Sequence, residues 1–73
     1  MNIYLLQRTS GVGYDEVSGF VIAAMTVADA RKVAASRSAD EGKSLWRSVP
    51  CQLVGKARPD VTAGIVMRSF NAG

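Results

Sequence analysis

Hydrophobic and polar positions alternate from the start of the chain. Ile3, Leu5 and Gln7 fall on one side of an extended backbone and Tyr4, Leu6 and Arg8 on the other, so both sides carry apolar groups and the segment reads as an inner strand. Residues 9–13 then bring two hydroxyl residues and two glycines, Gly11 and Gly13, which is the chemistry of a chain reversal, and Tyr14-Asp15-Glu16 continues the connection. Over residues 17–25 β-branched and aromatic side chains return, with Phe20, Ile22 and Ala24 on one face and Val21, Ala23 and Met25 on the other. Sequential strands tend to be neighbours, so the two segments predict a hairpin.

The period then changes. Thr26 is followed three residues later by Asp29, and residues 27–39 contain five alanines and neither Gly nor Pro, which predicts a capped helix. Val27, Ala30, Val33 and Ala34 share a stripe, while Asp29, Lys32 and Ser36 face away. Side chains this small let a helix lie close to a sheet but bury little area, so most of the hydrophobic stabilisation falls to the sheet residues and the aromatics. Gly42, after Asp40-Glu41, fits a helix stop.

Residues 43–50 show no clean period, and Pro50 biases Val49 towards extended geometry, so they read as a loop with at most one helical turn at its start. A third strand is predicted over 51–56, with Gln52, Val54 and Lys56 opposing Cys51, Leu53 and Gly55, before a turn at Ala57-Arg58-Pro59-Asp60. Residues 65–70 predict a fourth, with Ile65, Met67 and Ser69 opposing Val66, Arg68 and Phe70, and residues 71–73 form a small polar tail. The expected fold is a single α+β domain over 1–73, in ββαββ order: one small antiparallel sheet with one amphipathic helix packed on one face.

Composition narrows the function. At 73 residues the chain has room for one core, and 48% hydrophobic content beside 21% charged residues argues against disorder. A lone Cys51 and the absence of His remove disulfide frameworks, the usual zinc constellations and His-dependent triads. Met1 leads directly into Asn2-Ile3-Tyr4, without the segments of a secretory signal, and the longest apolar run covers only residues 20–25, whereas a membrane-spanning helix needs about 20. The expectation is a soluble cytoplasmic protein without a membrane segment.

Other chemistry-bearing groups each have a plain structural alternative. Gly11-Val12-Gly13 opens like a phosphate-binding glycine fingerprint, but the later glycine and the following helix are missing, which favours a hairpin turn. Asp15-Glu16 and Asp40-Glu41 lack the further oxygen ligands of a calcium loop and read as turn charges. Cys51 is either a reactive thiol or a small buried filler, and Tyr4, Trp46 and Phe70 either a stacking platform for bases or parts of the core, with burial the favoured reading in both cases. No positioned acid–base pair is visible, so neither an enzyme nor a cofactor is expected.

Charge is unevenly distributed. Residues 1–24 hold Arg8 against Asp15 and Glu16, residues 25–42 balance, and from residue 43 onward Lys43, Arg47, Lys56, Arg58 and Arg68 face only Asp60, which accounts for the net +3. Such a gradient suits nucleic acid or an acidic protein groove.

Ile3-Tyr4-Leu5-Leu6-Gln7-Arg8, Tyr14-Asp15-Glu16, Gly19-Phe20-Val21-Ile22, Ala28-Asp29-Ala30-Arg31, Asp40-Glu41-Gly42 and Ser69-Phe70-Asn71-Ala72-Gly73 together resemble a group of short phage and prophage proteins of unassigned function. The plan, with an Ala-rich helix carrying Arg31-Lys32, is also similar to that of several small type I anti-CRISPR proteins. That resemblance implies a stoichiometric inhibitor that docks on a host defence complex, the type I CRISPR surveillance complex being the usual target, and blocks access to DNA. Many such inhibitors are acidic DNA mimics, whereas this chain is basic, so a protein groove is the expected contact. The residues expected to steer it are Arg31, Lys32, Lys43, Arg47, Lys56, Arg58 and Arg68, with exposed aromatics as anchors. The alternatives are a basic nucleic-acid-binding accessory protein and a self-associating module, since a sheet with one helix leaves a face that a second copy can cover as a homodimer.

Overall fold

The structure, a computed structural model, describes residues 1–9 and 11–72. Ser10 of the predicted reversal and Gly73 of the predicted tail lie outside them. Four strands, β1 (Asn2–Gln7), β2 (Glu16–Ala24), β3 (Cys51–Lys56) and β4 (Gly64–Asn71), form one antiparallel sheet in the order β3-β1-β2-β4. One helix, α1 (Val27–Ser36), and a 3₁₀ turn, Ser44–Arg47, lie between β2 and β3 in sequence. This is the expected α+β fold, with β1 an inner strand as its two apolar faces required.

The hairpin pairs Leu6 with Phe20 and Tyr4 with Ile22, so the inward side chains of β1 and β2 meet on the helix face. There Tyr4, Leu6, Phe20 and Ile22 pack with Ala30, Ala34, Trp46 and Val49. Trp46 is fully buried, and its ring meets Phe20 edge to face at 4.8 Å between centroids, the geometry that aromatic quadrupoles favour. The helix begins as predicted: Thr26 is extended and its hydroxyl accepts the Asp29 N–H at 3.1 Å. Ala30 and Ala34 are buried and Val33 half-buried, but Val27, in the first turn, is exposed.

Several boundaries differ from the sequence expectation. The helix stops at Ser36 rather than 39, where the Arg37 N–H donates to the Ala34 carbonyl and the Ser38 N–H to the Ala35 carbonyl. Gly42, at φ +86°, instead closes a separate turn, donating to the Ala39 carbonyl. Asn71 belongs to β4 rather than to a tail: its carbonyl accepts the Asp15 N–H and its side-chain amide donates to the Gly13 carbonyl.

Face alternation also breaks in both edge strands. Ile3 pairs with Gly55 while Tyr4 pairs with Leu53, leaving Val54 extra. Val21 pairs with Met67 while Ile22 pairs with Ile65, leaving Val66 extra. Each bulge switches the side that the following residues present, so Ile65 joins the core and Met67 the opposite face.

The third irregularity, between Val17 and Gly19, exposes a tight contact. A Cβ on Gly19 would lie 2.9 Å from the Leu6 carbonyl oxygen, a backbone atom held in the ladder. Gly19→Ala is therefore expected to lose about 1–3 kcal/mol through forced backbone movement. Urea unfolding followed by tryptophan fluorescence measures it, and an unchanged midpoint would contradict the contact.

Candidate functional site

Four of the seven sequence-predicted basic residues converge. Arg31, Lys32, Lys43 and Arg47 line an open groove of about 460 Å³ together with Ala28, Ala35 and Ser36. Helical geometry explains one wall: positions 28, 31, 32, 35 and 36 recur at three- and four-residue spacing and so share a side of α1. Alanines and a serine leave that wall low between the long cationic side chains. The other wall is the start and end of the 3₁₀ turn, Lys43 preceding it and Arg47 closing it.

Burial of Trp46 brings the two walls together. The Arg31 guanidinium fixes the contact, donating from Nη1 to the Trp46 carbonyl at 3.0 Å and the Val49 carbonyl at 2.7 Å. Those bonds occupy two of the five N–H donors of the fork. Arg31 is half-buried, whereas Lys32, Lys43 and Arg47 are exposed, so one cation positions the turn and three face solvent around it. Among the described residues no Asp or Glu lines the groove.

Glu41 anchors the turn from below. Its carboxylate accepts the Val17 N–H at 2.9 Å, the Ala39 N–H at 3.1 Å and the Trp46 indole N–H at 2.8 Å. Burial pushes the Glu41 carboxyl up, but the donors from Val17, Trp46 and Ala39 outweigh it and hold the group below its ordinary value. Far from a solvated turn charge, Glu41 ties β2, the helix exit and the tryptophan together.

The remaining predicted residues lie elsewhere. Lys56 ends β3 opposite Asn2. Arg58 pairs with Asp60 at 2.8 Å in an exposed turn. Arg68, on β4, donates to the Arg37 carbonyl at 3.0 Å and lies over the Phe70 ring. Arg8, not among the predicted residues, closes the hairpin connection: its guanidinium reaches Glu16 at 2.9 Å and the Gly11 and Val17 carbonyls. The Glu16 carboxyl is held low by the Gly13 N–H and by Arg8.

The other candidates resolve simply. Tyr4 and Trp46 are core residues and offer no stacking face, while Tyr14 and Phe70 are exposed. Burial pushes the Cys51 thiol up, against a weaker opposing effect of Arg31, so it is a half-buried filler rather than an activated thiolate. Among the described residues no three metal-ligating side chains come together, and no helix is long and apolar enough to cross a membrane. Sequence reading missed Ala28, Ala35 and Ser36, although their spacing beside Arg31 and Lys32 was the available signal for a recessed cationic wall. No protein-family model, curated protein or solved structure matches the chain.

Proposed function

We propose that the protein is a non-enzymatic binding module that docks on an anionic surface of a larger macromolecule through the groove between α1 and the 3₁₀ turn. The observation that supports this is the convergence of Arg31, Lys32, Lys43 and Arg47 without an acidic neighbour in the groove. Cations grouped in one recess concentrate positive potential, which steers association and fixes register with carboxylate or phosphate groups. The resemblance to short phage proteins and to type I anti-CRISPR proteins directs the reading to an inhibitor acting in the host cytoplasm. Its partner is a defence complex of the type I surveillance class, whose access to DNA it blocks. Lys56, Arg58 and Arg68 contribute general positive charge rather than groove contacts.

The direct test is to pass the purified chain over an immobilised type I surveillance complex and measure target-DNA binding by that complex with and without it. Stoichiometric retention with loss of DNA binding is expected. No retention at low salt sinks the inhibitor reading. The open cationic rim also fits a phosphate backbone, which favours a nucleic-acid accessory protein as the second reading. In that case plain duplex DNA shifts in the absence of any complex, with an affinity that falls steeply with added salt.

A further inference from the structure

Among the described residues no helix or strand covers the sheet face opposite α1. Ile3, Leu5, Val21, Ala23 and Met67 form its apolar centre, with Gln7, Gln52 and Ser69 bordering one end and one edge, so the side chains that build this face carry no formal charge. The chain as a whole is +3, and a contact across this face adds no local opposition of like charges to that net repulsion. An apolar centre with neutral polar borders gives an acidic or basic partner nothing to pair with, and suits a surface of its own kind.

Shape points the same way. Around Gly19, which has no side chain, the face holds a hollow of about 120 Å³ lined by Leu5, Val21 and Met67 among others. That is comparable with the ~150 Å³ cavities that accept benzene-sized apolar groups. Met67 is 62% exposed on the rim of the hollow, two positions along β4 from Ser69, the partner of Gly19. One projection and one recess therefore lie side by side on a single face. A two-fold axis passing between them places each copy's Met67 in the other's hollow, the reciprocal contact that an isologous dimer requires.

We propose that this face pairs with the same face of a second copy, giving a four-layer homodimer with the two helices and their cationic grooves outermost. Four strands at ~4.8 Å spacing and about six residues at ~3.3 Å give a planar footprint of roughly 380 Å² per copy. Two such footprints total roughly 760 Å², below the ~1,000 Å² of stable specific interfaces, so the dimer is weak, transient and concentration-dependent.

Sedimentation velocity on the full chain from ~10 μM to ~1 mM at moderate salt tests it. The expected result is a shift from 7.7 kDa towards twice that mass across the series. Met67→Lys and, separately, Leu5→Gln are expected to hold the mass at the monomer value throughout, with unchanged circular dichroism showing that each variant is folded. A constant monomer mass up to 1 mM overturns the proposal. So does a dimer that survives both substitutions undiminished, which would place the contact at a sheet edge. Because the groove lies on the other side of the sheet, Met67→Lys leaves retention by a groove partner intact, so failure here and failure of the groove reading are separable.

Discussion

Replacing Glu41 with alanine is expected to leave most of the protein unfolded at 25 °C. The substitution strands three N–H donors, those of Val17, Ala39 and the fully buried Trp46 indole. Each buried donor left without an acceptor costs about 1–3 kcal/mol. Even if the partly exposed Ala39 N–H rehydrates freely, the other two donors cost about 2–6 kcal/mol, comparable with the roughly 3–5 kcal/mol that a single core in a domain of this size rarely exceeds. Urea unfolding read by the lone tryptophan gives the result directly, and a loss below about 1 kcal/mol contradicts the anchoring role. Glu41→Gln keeps an acceptor oxygen and should fall between alanine and wild type.

The same carboxylate sets the sign of the acid response. Its folded value is depressed, so the stability it contributes is fully present above the unfolded value of about 4.3 and is lost as the pH falls through the lower folded value. Glu16, held low by the Gly13 N–H and Arg8, and Asp60, held low by Arg58, act in the same direction. Stability should therefore decline from about pH 4 downward, and Glu41→Gln should show a shallower decline because one of the three linked groups has been removed.

What the sequence revealed depended on how local each cause was. The inner strand β1 and the start of α1 were legible because alternation at residues 3–8 and the Thr26 cap act within a few residues. The helix end was not, because Glu41 folds back to Trp46 and draws residues 37–42 into a separate turn. The bulges at Val54 and Val66 were equally hidden, since an extra residue is defined only against a partner strand. Composition correctly located the excess of cations after residue 42. Yet the groove joins Lys43 and Arg47 to Arg31 and Lys32 across the break between helix and turn, and only the burial of Trp46 creates that adjacency. Arg31 shows the cost of reading charge from sequence alone, because much of its guanidinium is spent on two backbone carbonyls.

That division of labour decides which cations to reverse. Arg31 is unsuitable, since its loss would loosen the turn along with the groove. Lys32→Glu with Arg47→Glu changes two exposed groove residues and takes the formal charge from +3 to −1. A charge-assisted contact contributes about 1.5–3 kcal/mol, so losing two lowers the affinity for the groove's partner by at least ~100-fold. If the partner contact is a phosphate backbone, the slope of log affinity against log salt should also fall by about 2. Lys56→Glu with Arg58→Glu carries the same −1 charge but lies outside the groove, and serves as the matched control. Binding should survive in that control, weakened by less than about tenfold through long-range steering alone. Equal loss in both double variants would show that net charge, not the recess beside α1, drives association.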